Sequence, residues 1–132
     1  MNTCKSILII DDDADIRETL KEALEFEGYT ATTATNGLHA LEYLKNAPEL
    51  PGLIILDLMM PVMDGSMFLE VIHRDHKDTF ARIPLILATA KGCSASTPNS
   101  HLAFDRIRKP LDLDDLYSAI RKHCGEVTPQ AS

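Results

Sequence analysis

The 132-residue chain has no tryptophan, and aromatic side chains make up only 5% of it. Its core must therefore rest on aliphatic packing more than on stacked rings. Cysteine is scarce too. Cys4, Cys93 and Cys124 are odd in number, widely spaced and without a CxxC pair, which excludes a disulfide framework or a zinc site and reads as reduced thiols. Positive charge is the minority sign: 13 Lys and Arg stand against 20 Asp and Glu. The net charge of −7 leaves no basic face for nucleic acid. No apolar run approaches the roughly 18 residues of a membrane span. The opening MNTCKS has no apolar signal core, so the expected location is the cytoplasm.

What is present is the make-up of one globular domain, 45% apolar and 25% charged, long enough to bury a real core. Its most telling stretch is ILIIDDDADI, residues 7–16, where four aliphatic side chains run straight into three consecutive carboxylates. Either Asp11, Asp12 and Asp13 fan out into water as a solvated helix start, or something cationic is held there.

The periodicity alternates along the chain. Ser6–Ile10 reads as a strand buried on both faces. Ile16, Leu20 and Leu24 then keep helical spacing, and Gly28 closes that helix. Tyr29–Ala34 is a second strand, small and polar enough for a sheet edge. Asn36-Gly37 opens a second helix with Leu41 and Leu44 inward, stopped near Pro48. Leu53–Leu56 is another doubly buried strand, ending on Asp57. A third helix starts near Ser66, with Phe68, Val71 and Ile72 inward. Pro84–Thr89 is a fourth strand, KGCSASTPNS a loop, and Phe104–Arg108 a fifth strand. Asp112 caps a last helix striped by Leu113, Leu116, Tyr117 and Ile120. Residues 5–124 form the expected domain and 125–132 a polar tail too short for an output domain.

Strands and helices in this alternation predict an α/β fold, a doubly wound parallel sheet with helices on both faces. Ligands of such sheets bind outside the carboxyl ends of the strands. Asp11 and Asp12 follow the first strand, Asp57 ends the third, Thr89 ends the fourth and Lys109 follows the fifth, so one rim collects all five. Three neighbouring acids need a cation, and oxygen-only ligands suit Mg²⁺. Metal, ammonium and hydroxyl together are what a transferring phosphoryl group requires, and a carboxylate can itself be the nucleophile.

Asp11-Asp12 after ILII, DLMMPVMDG at 57–65, Thr89-Ala90 after PLILA, and Lys109-Pro110 together resemble the receiver domain of bacterial response regulators, over residues 5 to about 124. The resemblance implies a flavodoxin-like five-stranded order 2-1-3-4-5. It implies Asp57 as phosphoacceptor, supplied by a sensor histidine kinase or a histidine phosphotransfer protein, with output through an unknown downstream protein. It also implies Mg²⁺ on Asp12, Asp57 and the Met59 carbonyl, with Asp11 acting through water. Thr89 would bond the phosphoryl oxygens, Lys109 would pair with Asp57 and then with the phosphoryl group, and Lys109–Pro110 would be a cis bond. Met59 and Lys91 would tune the phosphoryl lifetime, and Ala90 follows the switch threonine. Phosphoryl transfer and autodephosphorylation would be self-catalysed, with no other enzyme activity.

Other acids and histidines read more plainly. Asp15 with Glu18 resembles a capping box, and Asp64-Gly65 a turn into a helix. Asp11, Asp13, Asp15 and Glu22 mimic calcium-loop spacing, but Ile16 stands where glycine is needed. His39, His73, His76, His101 and His123 read as surface residues, and DGSMF around Ser66 is no nucleophile elbow. An aspartyl-nucleophile phosphatase would use Asp11-x-Asp13, yet it leaves DLMMPVMDG unexplained. A pseudo-receiver that binds partners without phosphorylation is the other alternative.

Two features depart from the family. Only 19 residues separate Thr89 from Lys109, so the fourth helix, between the last two strands, should be short or irregular. The aromatic expected three residues before the lysine is Arg106, with Phe104 the only substitute nearby. Output is therefore expected through ordering of residues 91–103.

Overall fold

The computed structural model describes residues 6–58, 60, 63–89, 102–108 and 112–124. Lys109, Pro110, Met59, Ala90 and Lys91 lie outside them, as do residues 90–101 of the span between the last two strands. The described elements are β1 (Ser6–Ile10), α1 (Ala14–Phe26), β2 (Thr30–Ala34), α2 (Gly37–Asn46), β3 (Leu53–Asp57), α3 (Gly65–Asp75), a 3₁₀ turn (Phe80–Arg82), β4 (Leu85–Thr89), β5 (Asp105–Arg108) and α4 (Leu113–Cys124).

All strand pairs are parallel, in the order β2-β1-β3-β4-β5. This is the doubly wound sheet expected from the aliphatic runs, with the small, polar β2 at one edge. Alternation along each strand separates two cores. Leu8, Ile10, Ile54, Leu56, Leu85 and Leu87 pack against Leu41 and Leu44 of α2 and Phe68 and Ile72 of α3. On the other face, Ile7, Ile9, Leu53, Ile55 and Ile86 meet Leu20 and Leu24 of α1 and Leu116 and Ile120 of α4. Strands covered on both faces explain the unbroken aliphatic runs.

The helix ends require a few corrections. α1 begins at Ala14, two residues before Ile16, and its cap is Asp13 rather than Asp15. The Asp13 Oδ1 accepts from the N–H groups of Asp15 at 2.9 Å and Ile16 at 3.3 Å. At the other end Gly28 takes φ 100°, its N–H bonds the Glu25 carbonyl, and the Tyr29 N–H reaches back to the Leu24 carbonyl. Tyr29 is thereby spent on closing the helix, so β2 starts at Thr30. Pro84, lacking an N–H, stays outside β4 while its carbonyl accepts from Ile54. Asn36, Asp64 and Asp112 cap the remaining helices as expected. The turn at Phe80–Arg82 was not anticipated. Among the described residues, no helix is long and apolar enough to cross a membrane.

Candidate functional site: an acidic pocket at the carboxyl ends of the central strands

The sheet order reverses direction at β1, which has β2 on one side and β3 on the other, and that reversal opens a crevice beyond the strand ends. Ile10 pairs with Leu56, so Asp11 and Asp57 arrive side by side, one step past that pair. Asp11, Asp12 and Asp57 each bring a carboxylate oxygen within 4.8 Å of the others. Asp11 and Asp57 are only 3% and 4% exposed, while Asp12 is open to solvent. Like charges this close, two of them screened from water, repel unless a cation is shared.

The main chain holds these acids firmly. The Asp11 N–H donates to the Ala34 carbonyl at 3.2 Å, extending the β1–β2 ladder. The Asp13 N–H donates to Asp11 Oδ1 at 2.9 Å, which ties that carboxylate in place at the edge of the pocket. Past Asp57, the Leu58 N–H donates to the Ala88 carbonyl at 3.0 Å and the Leu58 carbonyl accepts from Gly65 at 2.9 Å. Gly37 closes on the same loop, its N–H donating to the Met63 carbonyl at 3.2 Å. A Cβ on Gly37 would come within 2.9 Å of that oxygen. The glycines of NG and DG are thus sites of close backbone approach.

The three carboxylates fit a small hard cation. An octahedral ion with bonds of about 2.1 Å spaces its ligand oxygens about 3 to 4 Å apart. The three oxygens, all within 4.8 Å of one another, are gathered on that scale. The donor set is oxygen only, which suits Mg²⁺ over softer metals.

Thr89 ends β4, one residue beyond Ala88, the register partner of Asp57, and is partly buried. Arg106 lies exposed on β5, opposite Leu87. Phe104 is 47% exposed and stands edge-on to the His123 ring, 5.9 Å between centroids. Asp13, the second acid of a D-x-D phosphatase reading, is committed to capping α1. Sequence reasoning missed Arg17, whose Nη1 donates to the Asp11 carbonyl at 2.7 Å. A bond from a side chain to a main-chain oxygen leaves no mark in residue spacing.

A family model for the response regulator receiver domain matches residues 7–121. The chain belongs to that family. Curated relatives of this receiver include response regulator MprA of Mycobacterium ulcerans, 38% identical over 87% of this chain and 48% of its own. Response regulator Rre1 of Synechocystis is 33% identical over 88% and 50%. The receiver thus spans about half the length of the curated relatives it matches. Among solved structures, a CheY-like receiver domain protein from Methanospirillum hungatei superposes with a TM-score of 0.79 at 28% identity, covering 91% of this chain and 94% of its own. TrrA of Thermotoga maritima, crystallised in complex with Mg²⁺–BeF, gives 0.77 at 36% identity, covering 89% and 97%. The receiver is a domain of two-component signalling.

Proposed function

We propose that this receiver takes a phosphoryl group onto Asp57 from a phosphohistidine of a sensor histidine kinase or a histidine phosphotransfer protein, in the cytoplasm, and signals by protein contact. The observation that carries the reading is the buried Asp57 carboxylate within 4.8 Å of Asp11 and Asp12 at the end of a central strand.

Burial strips water from the Asp57 carboxylate, and its seat at the end of β3 fixes where it meets the donor. An Asp57 oxygen bonds to phosphorus as the P–N bond to the donor imidazole breaks, and the imidazole leaves with the bonding pair and takes a proton. Asp11, Asp12 and Asp57 would hold Mg²⁺, with the Met59 carbonyl completing the protein ligands. When bound, the ion spreads the charge of the phosphoryl oxygens. Thr89 donates its hydroxyl to those oxygens, and Lys109 supplies an ammonium charge to pair with Asp57 and then with the phosphoryl group. Attack of water on phosphorus returns the free carboxylate and inorganic phosphate. With Arg106 where an aromatic would report the event, output passes through residues 91–103. Unchanged amide exchange there on phosphorylation would count against that route.

The test is intact mass after incubation with acetyl phosphate, with and without Mg²⁺, beside Asp57→Asn. One phosphoryl adduct requiring both the ion and Asp57 supports the reading. A folded protein that takes no adduct would favour partner binding without phosphorylation.

A further inference from the structure

We propose that Arg17 is a positioning residue that fixes the direction of Asp12 within the acidic pocket. The inference rests on reading that pocket as a cation-binding phosphoacceptor site. Arg17 lies on α1, one helical turn beyond the cap residue Asp13, and is partly buried. Its guanidinium reaches back across six residues to the Asp11 carbonyl, with Nη1 donating at 2.7 Å. That distance is typical of a strong, charge-assisted bond. Among the described residues, Arg17 forms no ion pair with a carboxylate.

The choice of acceptor has a geometric consequence. The Asp11 carbonyl and the Asp12 N–H belong to one rigid peptide plane. Pinning the oxygen sets the tilt of that plane, and with it the direction in which the Asp12 side chain leaves the chain. The rest of Asp11 is already tied, its N–H to Ala34 and its Oδ1 to the Asp13 N–H. Asp12 is exposed, and among the described residues its carboxylate accepts no hydrogen bond. Its aim therefore depends on the main chain beneath it. Without a cation, the two buried carboxylates push Asp12 outward, and a fixed peptide plane resists that push.

A contrary role is available to the same side chain. A guanidinium close to the pocket repels an incoming cation and would weaken its binding. The two roles predict opposite signs when the charge is removed. Lys21 supplies the control. One turn further along α1, its Nζ donates to the Ala31 carbonyl at 3.0 Å, the same helix-to-strand device acting away from the acids.

The experiment titrates Mg²⁺ by calorimetry into the wild-type chain, Arg17→Met, Arg17→Lys and Lys21→Met. It also follows amide exchange at Asp13 in the metal-free proteins. Arg17→Met is expected to weaken Mg²⁺ affinity about tenfold, the order of one lost hydrogen bond to a charged group. Arg17→Lys, which can still reach with a single donor, recovers part of that loss. Lys21→Met leaves the affinity unchanged. Unchanged or tighter binding in Arg17→Met overturns the inference. A wild-type chain that binds no Mg²⁺ would instead overturn the reading of the pocket. Exchange at Asp13 then still decides the role of Arg17: faster in Arg17→Met than in Lys21→Met supports it, and equal rates sink it.

Discussion

Gly65 sits so close beneath Asp57 that a Cβ built on it would come within 2.8 Å of the Asp57 carbonyl oxygen and 2.8 Å of the Leu58 Cα. The first residue of α3 is thus pressed against the backbone that presents the proposed phosphoacceptor, and its N–H completes the fit by bonding the Leu58 carbonyl. Both close atoms are main chain, so neither can swing aside as a flexible side chain would.

Gly65→Ala is therefore expected to destabilise the fold by about 1 to 3 kcal/mol, the usual cost of forcing a methyl into a packed site. It should also slow phosphorylation by displacing Asp57. Urea unfolding reads the first effect and the rate of adduct formation the second. Wild-type stability in Gly65→Ala would mean that α3 does not press on the acceptor strand.

Asp12→Asn is expected to stabilise the metal-free protein while abolishing its response to Mg²⁺. Two unit charges about 4 Å apart repel by up to about 4 kcal/mol at the effective permittivity of a protein surface, and exposure of Asp12 reduces this to about 1 kcal/mol. Melting with and without Mg²⁺ measures both effects. A variant that melts below wild type without the ion would contradict the picture of mutually repelling acids.

Asp13→Ala removes the cap of α1 but leaves the pocket carboxylates in place. The Asp13 N–H that bonds Asp11 is retained, because it belongs to the main chain. The expected loss is about 1 kcal/mol of stability, with the amount of phosphoryl adduct unchanged. Loss of the adduct in a folded Asp13→Ala protein would give this residue a role in the chemistry.

Asp105 predicts an acid-side dependence of stability. Burial pushes its carboxyl pKa up. The Arg106 N–H, the His123 ring at 3.1 Å and the Lys122 ammonium outweigh that effect and hold it below the usual carboxylate value. A carboxyl depressed in the folded state adds stability above its unfolded pKa of about 3.9, and loses it as pH falls through the folded value. Asp105→Asn should thus lose less stability than wild type as pH is lowered below about 4. Parallel acid unfolding profiles would show that the contact with α4 contributes nothing.

The fold was legible because its strands are covered on both sides. ILII and LIIL have no polar alternation to confuse, and each runs straight into a carboxylate at the strand's carboxyl end. The pocket was legible because a parallel sheet sends every strand end to one rim, so sequence order alone puts Asp11, Asp12 and Asp57 together. Finer features were less visible. Asp13 and Asp15 are equally good caps by composition, and only the chain's path out of β1 selects Asp13. The turn at Phe80–Arg82 is too short to show periodicity. The Arg17 contact is a bond to a carbonyl, which every residue carries.

The most direct test of Asp57 as the acceptor is chemical mapping of the phosphoryl group. Borohydride reduces an aspartyl phosphate to homoserine, so reduction after acetyl phosphate treatment with Mg²⁺, followed by peptide mass mapping, marks the acceptor in place. Homoserine at position 57 alone is the expected result. Homoserine at 11 or 12, or none in a folded protein that has taken an adduct, would contradict it.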